Sequence, residues 1–261
     1  MVEPALSVVV PAYNEASRLE LSLSRIQAYL RGRQIPYEIL VVDDGSQDAT
    51  VEVAEHFSRE HALPEEVRIL RNPVNRGKGY AVREGMLAAR SDLGLMTDAD
   101  LSTPITELAK LEACLRSGEL DIAMGSRDLA QSQVEIRQPW RREALGKLFN
   151  RVVRLLTGLP FRDTQCGFKL FRLSSCREVF RCQRTHGFVF DVEILVIARG
   201  WGLRAEEVPV VWRHAEGSKV RPFGHLVPVV IDLLRIRLNN ARGLYRRDRC
   251  GGGSVSGREK I

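Results

Sequence analysis

Two aspartates, Asp98 and Asp100, stand one residue apart at the end of a short apolar run, L-G-L-M-T-D-A-D-L-S-T-P over residues 93–104. Two hard carboxylate oxygens this close suit Mg²⁺ or Mn²⁺, shared with the phosphates of a substrate. If the apolar run is a buried strand, both carboxylates open at its carboxyl end, where open α/β sheets take their ligands. A plainer reading fits the same residues: a strand end and a turn, with Ser102 or Thr103 capping a helix from Pro104. A D-x-D alone does not choose between them.

Three more polar clusters follow apolar runs in the same way. Pro11-Ala12-Tyr13-Asn14-Glu15 follows residues 6–10, Asp43-Asp44-Gly45-Ser46 follows 39–42, and Asn75-Arg76-Gly77-Lys78-Gly79 follows 67–70. The second also reads as an Asx turn. Helical stretches come after each cluster, to about residues 30, 61 and 90. Four strand–loop–helix units at this spacing predict an α/β fold with a Rossmann-like, largely parallel sheet and helices on both faces. All the clusters then fall on one edge of the sheet. Gly77-Lys78-Gly79 with Gly85 is not G-x-G-x-x-G, and no glycine loop is followed by Lys-Ser/Thr, so dinucleotide and P-loop sites are excluded.

A chain of 261 residues, 44% hydrophobic, can bury a sizeable core. Its longest apolar runs, such as 227–231, are too short to span a bilayer, and the acidic start predicts no signal peptide. Cysteines 114, 166, 176, 182 and 250 form no C-x-x-C pair, which predicts reduced thiols in a cytosolic protein. The net charge of +6 hides a split: residues 1–125 carry −7 and residues 126–261 carry +13. That split suggests a metal site facing an anion site. No nucleic-acid motif with interleaved aromatics is present, so a nucleic-acid partner is not expected. Two stretches read as basic amphipathic helices suited to a membrane surface. One, 139–157, carries Trp140, Phe149 and Leu156 with Lys147, Arg151 and Arg154. The other, 223–247, places Arg235, Arg242 and Arg246 at i, i+7 and i+11. Periodicity does not separate such helices from ordinary ones packed on a core.

The four clusters resemble the inverting family 2 glycosyltransferases of the GT-A fold. The resemblance continues through Gly125-Ser126-Arg127, the block Arg162-Asp163-Thr164-Gln165-Cys166-Gly167-Phe168-Lys169-Leu170-Phe171, Phe190-Asp191-Val192-Glu193 and Glu216-Gly217-Ser218-Lys219. These later blocks are similar to the branch that glucosylates dolichyl phosphate, and the likeness covers about residues 5–247. It implies transfer of glucose, with inversion, from UDP-glucose to a polyprenyl (dolichyl-type) phosphate. GDP-mannose or another hexose donor is the same-class alternative. A non-catalytic nucleotide-sugar or lipid-phosphate binding module is the other, and the intact D-x-D argues against it. A processive polysaccharide synthase is disfavoured, since no Q-x-x-R-W occurs.

The resemblance also implies roles. Pro11, Ala12, Tyr13, Glu15 and Asp43 would line the nucleotide pocket, Asp43 accepting from a uracil N–H. Lys78 would bind the donor, as would Lys219 on a closing loop. Asp98 would contact the donor and Asp100 the metal, Mg²⁺ or Mn²⁺, with both carboxylates able to share these tasks. Arg127 and Arg142 would grip the acceptor phosphate, for which a bidentate guanidinium is suited. Asp191 is the candidate base for a hydroxyl acceptor, or else an acid that orients Lys169 or Arg127. A phosphate acceptor, with a second pKa of about 6, needs no base at neutral pH. The expected organisation is a catalytic domain over 1–215, a closing loop and amphipathic membrane-surface helix over 216–250, and a flexible tail over 251–261. The expected location is cytoplasmic, peripheral on the cytoplasmic face of a membrane.

Overall fold

A computed structural model of the chain describes residues 3–63, 66–116, 118–136, 140–213 and 226–250. The first half runs β1 (Leu6–Ala12), α1 (Ala16–Gly32), β2 (Tyr37–Asp43), α2 (Thr50–His61), β3 (Val67–Arg71), α3 (Lys78–Ala88) and β4 (Leu93–Met96). Every residue of β1 and β2 is buried, as expected of parallel strands covered on both faces. Their side chains alternate between two cores. Val9, Leu40 and Val42 pack with α3, while Val8, Val10, Ile39 and Val41 pack with α1 and α2.

A 3₁₀ turn, Ile105–Glu107, leads into α4 (Leu108–Arg116) and β5 (Ile122–Ser126). Then come β6 (Gln133–Ile136), α5 (Trp140–Thr157), β7 (Lys169–Arg172), α6 (Leu173–Cys182), α7 (Phe190–Gly200), β8 (Ala205–Pro209), β9 (Val211–Arg213), α8 (Leu226–Ala241) and α9 (Arg247–Cys250). The main sheet has the order β3-β2-β1-β4-β7-β5-β8. Only β7 runs against its neighbours, so the sheet is largely parallel. β6 and β9 form a separate parallel pair beside it.

Three expectations are corrected. The helix foreseen from Pro104 begins as the 3₁₀ turn, and no side chain caps it. The helix foreseen over 223–247 is described from Leu226 and ends at Ala241. Gly243, at φ 66°, closes it in a Schellman motif, with Gly243 N–H donating to Asn240 O and Leu244 N–H to Asn239 O. Arg242 and Arg246 therefore lie past its end, and the Arg235–Arg242–Arg246 stripe does not exist as a helix face. Third, Cys182 on α6 and Cys250 on α9 form a disulfide, with Cα atoms 5.1 Å apart. Cys114, Cys166 and Cys176 are free.

The helix α5 keeps its expected span and packs Phe149, Val152, Val153 and Leu156 against the core, leaving Leu155 81% exposed. Among the described residues no helix is long and apolar enough to cross a membrane.

Candidate active site

Parallel pairing in register brings the carboxyl ends of β1, β2 and β4 side by side. Ala12 pairs with Asp43, and Thr97 N–H donates to Val9 O one residue before Asp98. The loops that follow these strands form the site.

A cavity of about 550 Å³ opens there, lined by Tyr13, Asp43, Ser46, Arg71, Asn72 and Asn75 among others. Its volume suits a nucleotide-sized ligand. Pro11 and Ala12 are buried in the last turn of β1. The chain then turns at Asn14 (φ 55°), whose Oδ1 accepts from Gln47 N–H at 2.7 Å. Glu15 precedes α1, its N–H donating to Thr50 Oγ1 and its carboxylate paired with Arg18. Asp43 accepts from Gly45 N–H and Ser46 N–H, so the Asx turn is real. That turn fixes a carboxylate in the cavity wall; Oδ2 accepts from both amides, and Oδ1, with one partner, keeps a second lone pair.

The sequence reading missed Asp44. Its carboxylate accepts from Asn72 Nδ2, Arg76 N–H and Gly77 N–H, at 3.1, 3.0 and 2.7 Å. One buried side chain thereby ties the third loop to the second. Gly45 permits that closeness, because a Cβ there would lie 2.6 Å from the Val74 carbonyl carbon.

Asp98 and Asp100 sit in a tight turn. Leu101 N–H donates to Asp98 O, and Ser102 N–H to Asp100 Oδ1 at 2.9 Å. Leu101 is held at φ 46°, an uncommon conformation for such a side chain. Lys78, the first residue of α3, places Nζ 2.5 Å from Asp98 Oδ1. On the other side the Asp98 carboxylate lies against Gly167, where an added Cβ would meet Oδ2 at 2.1 Å. A Cβ there would push that carboxylate aside, so glycine within the 162–171 block lets Asp98 keep this position. Burial pushes the Asp98 carboxyl up, but Lys78, Lys169 and Arg127 outweigh it and hold it below the usual carboxylate range. Burial likewise lowers Lys78, and Asp98, Asp191 and Asp100 more than reverse this.

Asp191 and Lys169 are a second, fully buried pair. Lys169 Nζ donates to Asp191 Oδ1 at 2.6 Å and to Cys166 O at 2.5 Å. Burial raises the Asp191 carboxyl, against the pull of Lys169 and Lys78. Arg127 follows β5 and lies over the Trp212 ring, 5.5 Å from its centroid. Its Nε and Nη2 form a fork to Asp163, at 2.7 and 2.8 Å, and its N–H donates to the same carboxylate. Asp163 is held in turn by Glu207, whose Oε1 accepts from Asp163 N–H and Ser126 Oγ. Neither Asp163 nor Glu207 was picked out as a support for Arg127.

Lys78, Asp98, Asp100, Asp191 and Arg127 thus come together, and Tyr13 and Asp43 line the cavity at the ends of β1 and β2. Arg142 lies on α5, but its side chain is outside the described residues, as is all of Lys219. Asp98 and Asp100 fit a dication. They offer hard oxygens, and Lys78 already places a cation on Asp98. No cluster of three His, Cys, Asp or Glu is found among the described residues.

The model for Glycosyl transferase family 2 matches residues 7–180. The dolichyl-phosphate beta-glucosyltransferase of Drosophila melanogaster is 39% identical over 92% of this chain and 77% of its own. That of Homo sapiens is 37% identical over the same shares. That of Saccharomyces cerevisiae is 34% identical over 92% and 76%. Among solved structures, glucosyl-3-phosphoglycerate synthase from Mycobacterium tuberculosis in complex with Mn²⁺ and UDP-glucose gives a TM-score of 0.65, over 90% of this chain and 79% of that one. Mannosyl-3-phosphoglycerate synthase from Rubrobacter xylanophilus gives 0.67, over 92% and 75%. Identity to both is 19%, so that likeness is one of fold, the GT-A fold. With two thirds of its length matched by the family and relatives at this identity spanned for three quarters of theirs, the chain belongs to glycosyl transferase family 2.

Proposed function

We propose that the chain transfers glucose, with inversion, from UDP-glucose to a polyprenyl (dolichyl-type) phosphate, working peripherally at a membrane surface. The observation that carries this reading is that the Asp43 cavity and the Asp98–Asp100 turn lie at the carboxyl ends of strands β2, β1 and β4 of one sheet, with Arg127 acting on Asp98. The names of the relatives supply the sugar and the acceptor class.

The nucleobase enters the cavity, where the fixed Asp43 carboxylate accepts from a base N–H. Lys78 and the turn at Asp98 face the diphosphate. Asp98 and Asp100 would hold the dication, which would supply Lewis-acid stabilisation of charge on the leaving diphosphate. Arg127 presents the acceptor. Its Asp163 fork fixes the guanidinium plane and leaves Nη1 on the opposite edge for a phosphate oxygen. That phosphate is ionised at neutral pH, so no side chain need take its proton. Asp191 is then a positioning residue, holding Lys169 beside Asp98.

Contact with the bilayer rests on α8. Val230, Ile231, Leu234 and Leu238 are 41–50% exposed there, with Arg235 among them. The cytoplasmic side rests on the family resemblance, and the Cys182–Cys250 bond stands against it, since disulfides are rare in the cytosol.

The test is the acceptor KM of Arg127→Ala. Losing a charge-assisted hydrogen bond of roughly 1.5–3 kcal/mol should raise it about ten- to hundredfold while the UDP-glucose KM holds. An unchanged acceptor KM would move the acceptor site elsewhere.

A further inference from the structure

Lys78 stands where two different partners would want it. Its backbone is pinned. Asp44 holds Gly77 N–H, and Gly79 N–H donates to His186 O at 2.7 Å. Neither glycine can be enlarged, since a Cβ at Gly77 (φ 106°) would lie 2.5 Å from His186 O and one at Gly79 2.6 Å from Phe190 Cβ. The side chain beyond is four methylenes long and can swing. It lies on Asp98 Oδ1 at 2.5 Å, with the carboxylates of Asp191 and Asp100 also acting on it. Asp98 is one of the two proposed metal ligands, and an ammonium seated on that carboxylate repels a dication arriving at it.

We propose that Lys78 is the resident counter-ion of the metal site, and that it must exchange from Asp98 to the donor diphosphate for metal and nucleotide to bind together. The proposal rests on the reading of Asp98 and Asp100 as metal ligands. Charge decides the order. In the donor-free site Lys78 already offsets part of the two carboxylates, so a dication arriving alone must displace it into a site with surplus positive charge. Once a diphosphate is present, two carboxylates and two phosphate charges face the dication and Lys78, and both cations find partners. Lys78 therefore couples the two ligands: it weakens metal binding alone and strengthens it in the presence of nucleotide. By linkage the coupling is reciprocal. A lysine that merely stapled α3 to the β4 turn would give no such coupling.

The experiment is Mn²⁺ binding, followed by electron paramagnetic resonance of the free ion, with and without saturating UDP. Wild type is compared with Lys78→Met and Lys78→Gln, the second keeping a polar head should the first fold poorly. Without UDP both variants should bind Mn²⁺ about five- to tenfold more tightly than wild type, the scale of one partly exposed ion pair. The factor by which UDP tightens Mn²⁺ should shrink by about tenfold or more in the variants. Equal Mn²⁺ affinity without UDP, or an unchanged UDP effect, would overturn the exchange while leaving the metal site standing. Failure of wild type to bind Mn²⁺ even with UDP would overturn the metal reading and this proposal together.

Discussion

Asp98 lies against both Lys78 and Gly167, so small changes around it should be felt in activity before stability. Asp100→Asn should lower metal-dependent transfer about a hundredfold or more and leave the melting temperature nearly unchanged, because it alters one partly exposed carboxylate at a sheet edge. Asp43→Asn keeps the turn's acceptor oxygen but loses the charge. The KM for UDP-glucose should rise about tenfold with kcat nearly constant, and the reverse pattern would place Asp43 in the chemistry. Asp163 should behave differently, because it is fully buried beneath Arg127. Asp163→Asn should raise the acceptor KM and also destabilise the fold by roughly 2–3 kcal/mol, below the range for a wholly buried pair because Arg127 reaches solvent. Burial would raise the Asp163 carboxyl, but Arg127 holds it below the ordinary value. Its contribution is therefore complete above about pH 4 and lost as pH falls through the folded value. Denaturant curves of the variant and wild type should lie farthest apart near neutrality and converge below about pH 4.

The strands announced themselves because each is a short run of buried apolar residues ending in polar ones, and β1, β2 and β4 fall where those runs lie. The three clusters at their ends were legible for the same reason. The loop supports were not. Asp163 lies 36 residues from Arg127, and Glu207 lies 44 from Asp163, so pairing them needs the sheet order that puts β5 beside β7 and β8. The break after Ala241 was readable in Gly243, but Leu244 and Tyr245 continue the apolar pattern and hid it. Gly167 lets the 162–171 loop press on the β4 turn. In Gly167→Ala the added methyl must displace the Asp98 carboxylate. Turnover should fall about ten- to hundredfold from a misplacement of this size, with far-ultraviolet circular dichroism unchanged. Retained turnover would show that Asp98 has room to move.

Over the whole molecule, the C-terminal segment folds back onto α6 and α7. Tyr245 O–H donates to Glu193 at 2.6 Å, Trp201 Nε1 donates to Tyr245 O at 2.6 Å, and Cys250 is bonded to Cys182. The two cysteines are 68 residues apart with no motif between them, which is why the sequence suggested reduced thiols. Cys182→Ser should reduce stability by about 2–4 kcal/mol, and a melting temperature indifferent to reductant would show the thiols open. The strap also presents the outer side of α8. Replacing Leu234 and Leu238 with Ser should weaken binding to anionic vesicles while sparing a short, water-soluble acceptor. Equal losses on both acceptors would assign that side to the fold. Glucosyl transfer from UDP-glucose to a lipid phosphate can be read in a single assay. Purified protein is given radiolabelled UDP-glucose or GDP-mannose, polyprenyl phosphate and Mn²⁺ or Mg²⁺, and label is counted in the organic phase. Metal-dependent, organic-extractable product is expected from UDP-glucose, lost in Asp100→Asn and reduced at limiting acceptor in Arg127→Ala. Product from GDP-mannose alone, or none from either donor with polyprenyl phosphate, would contradict it.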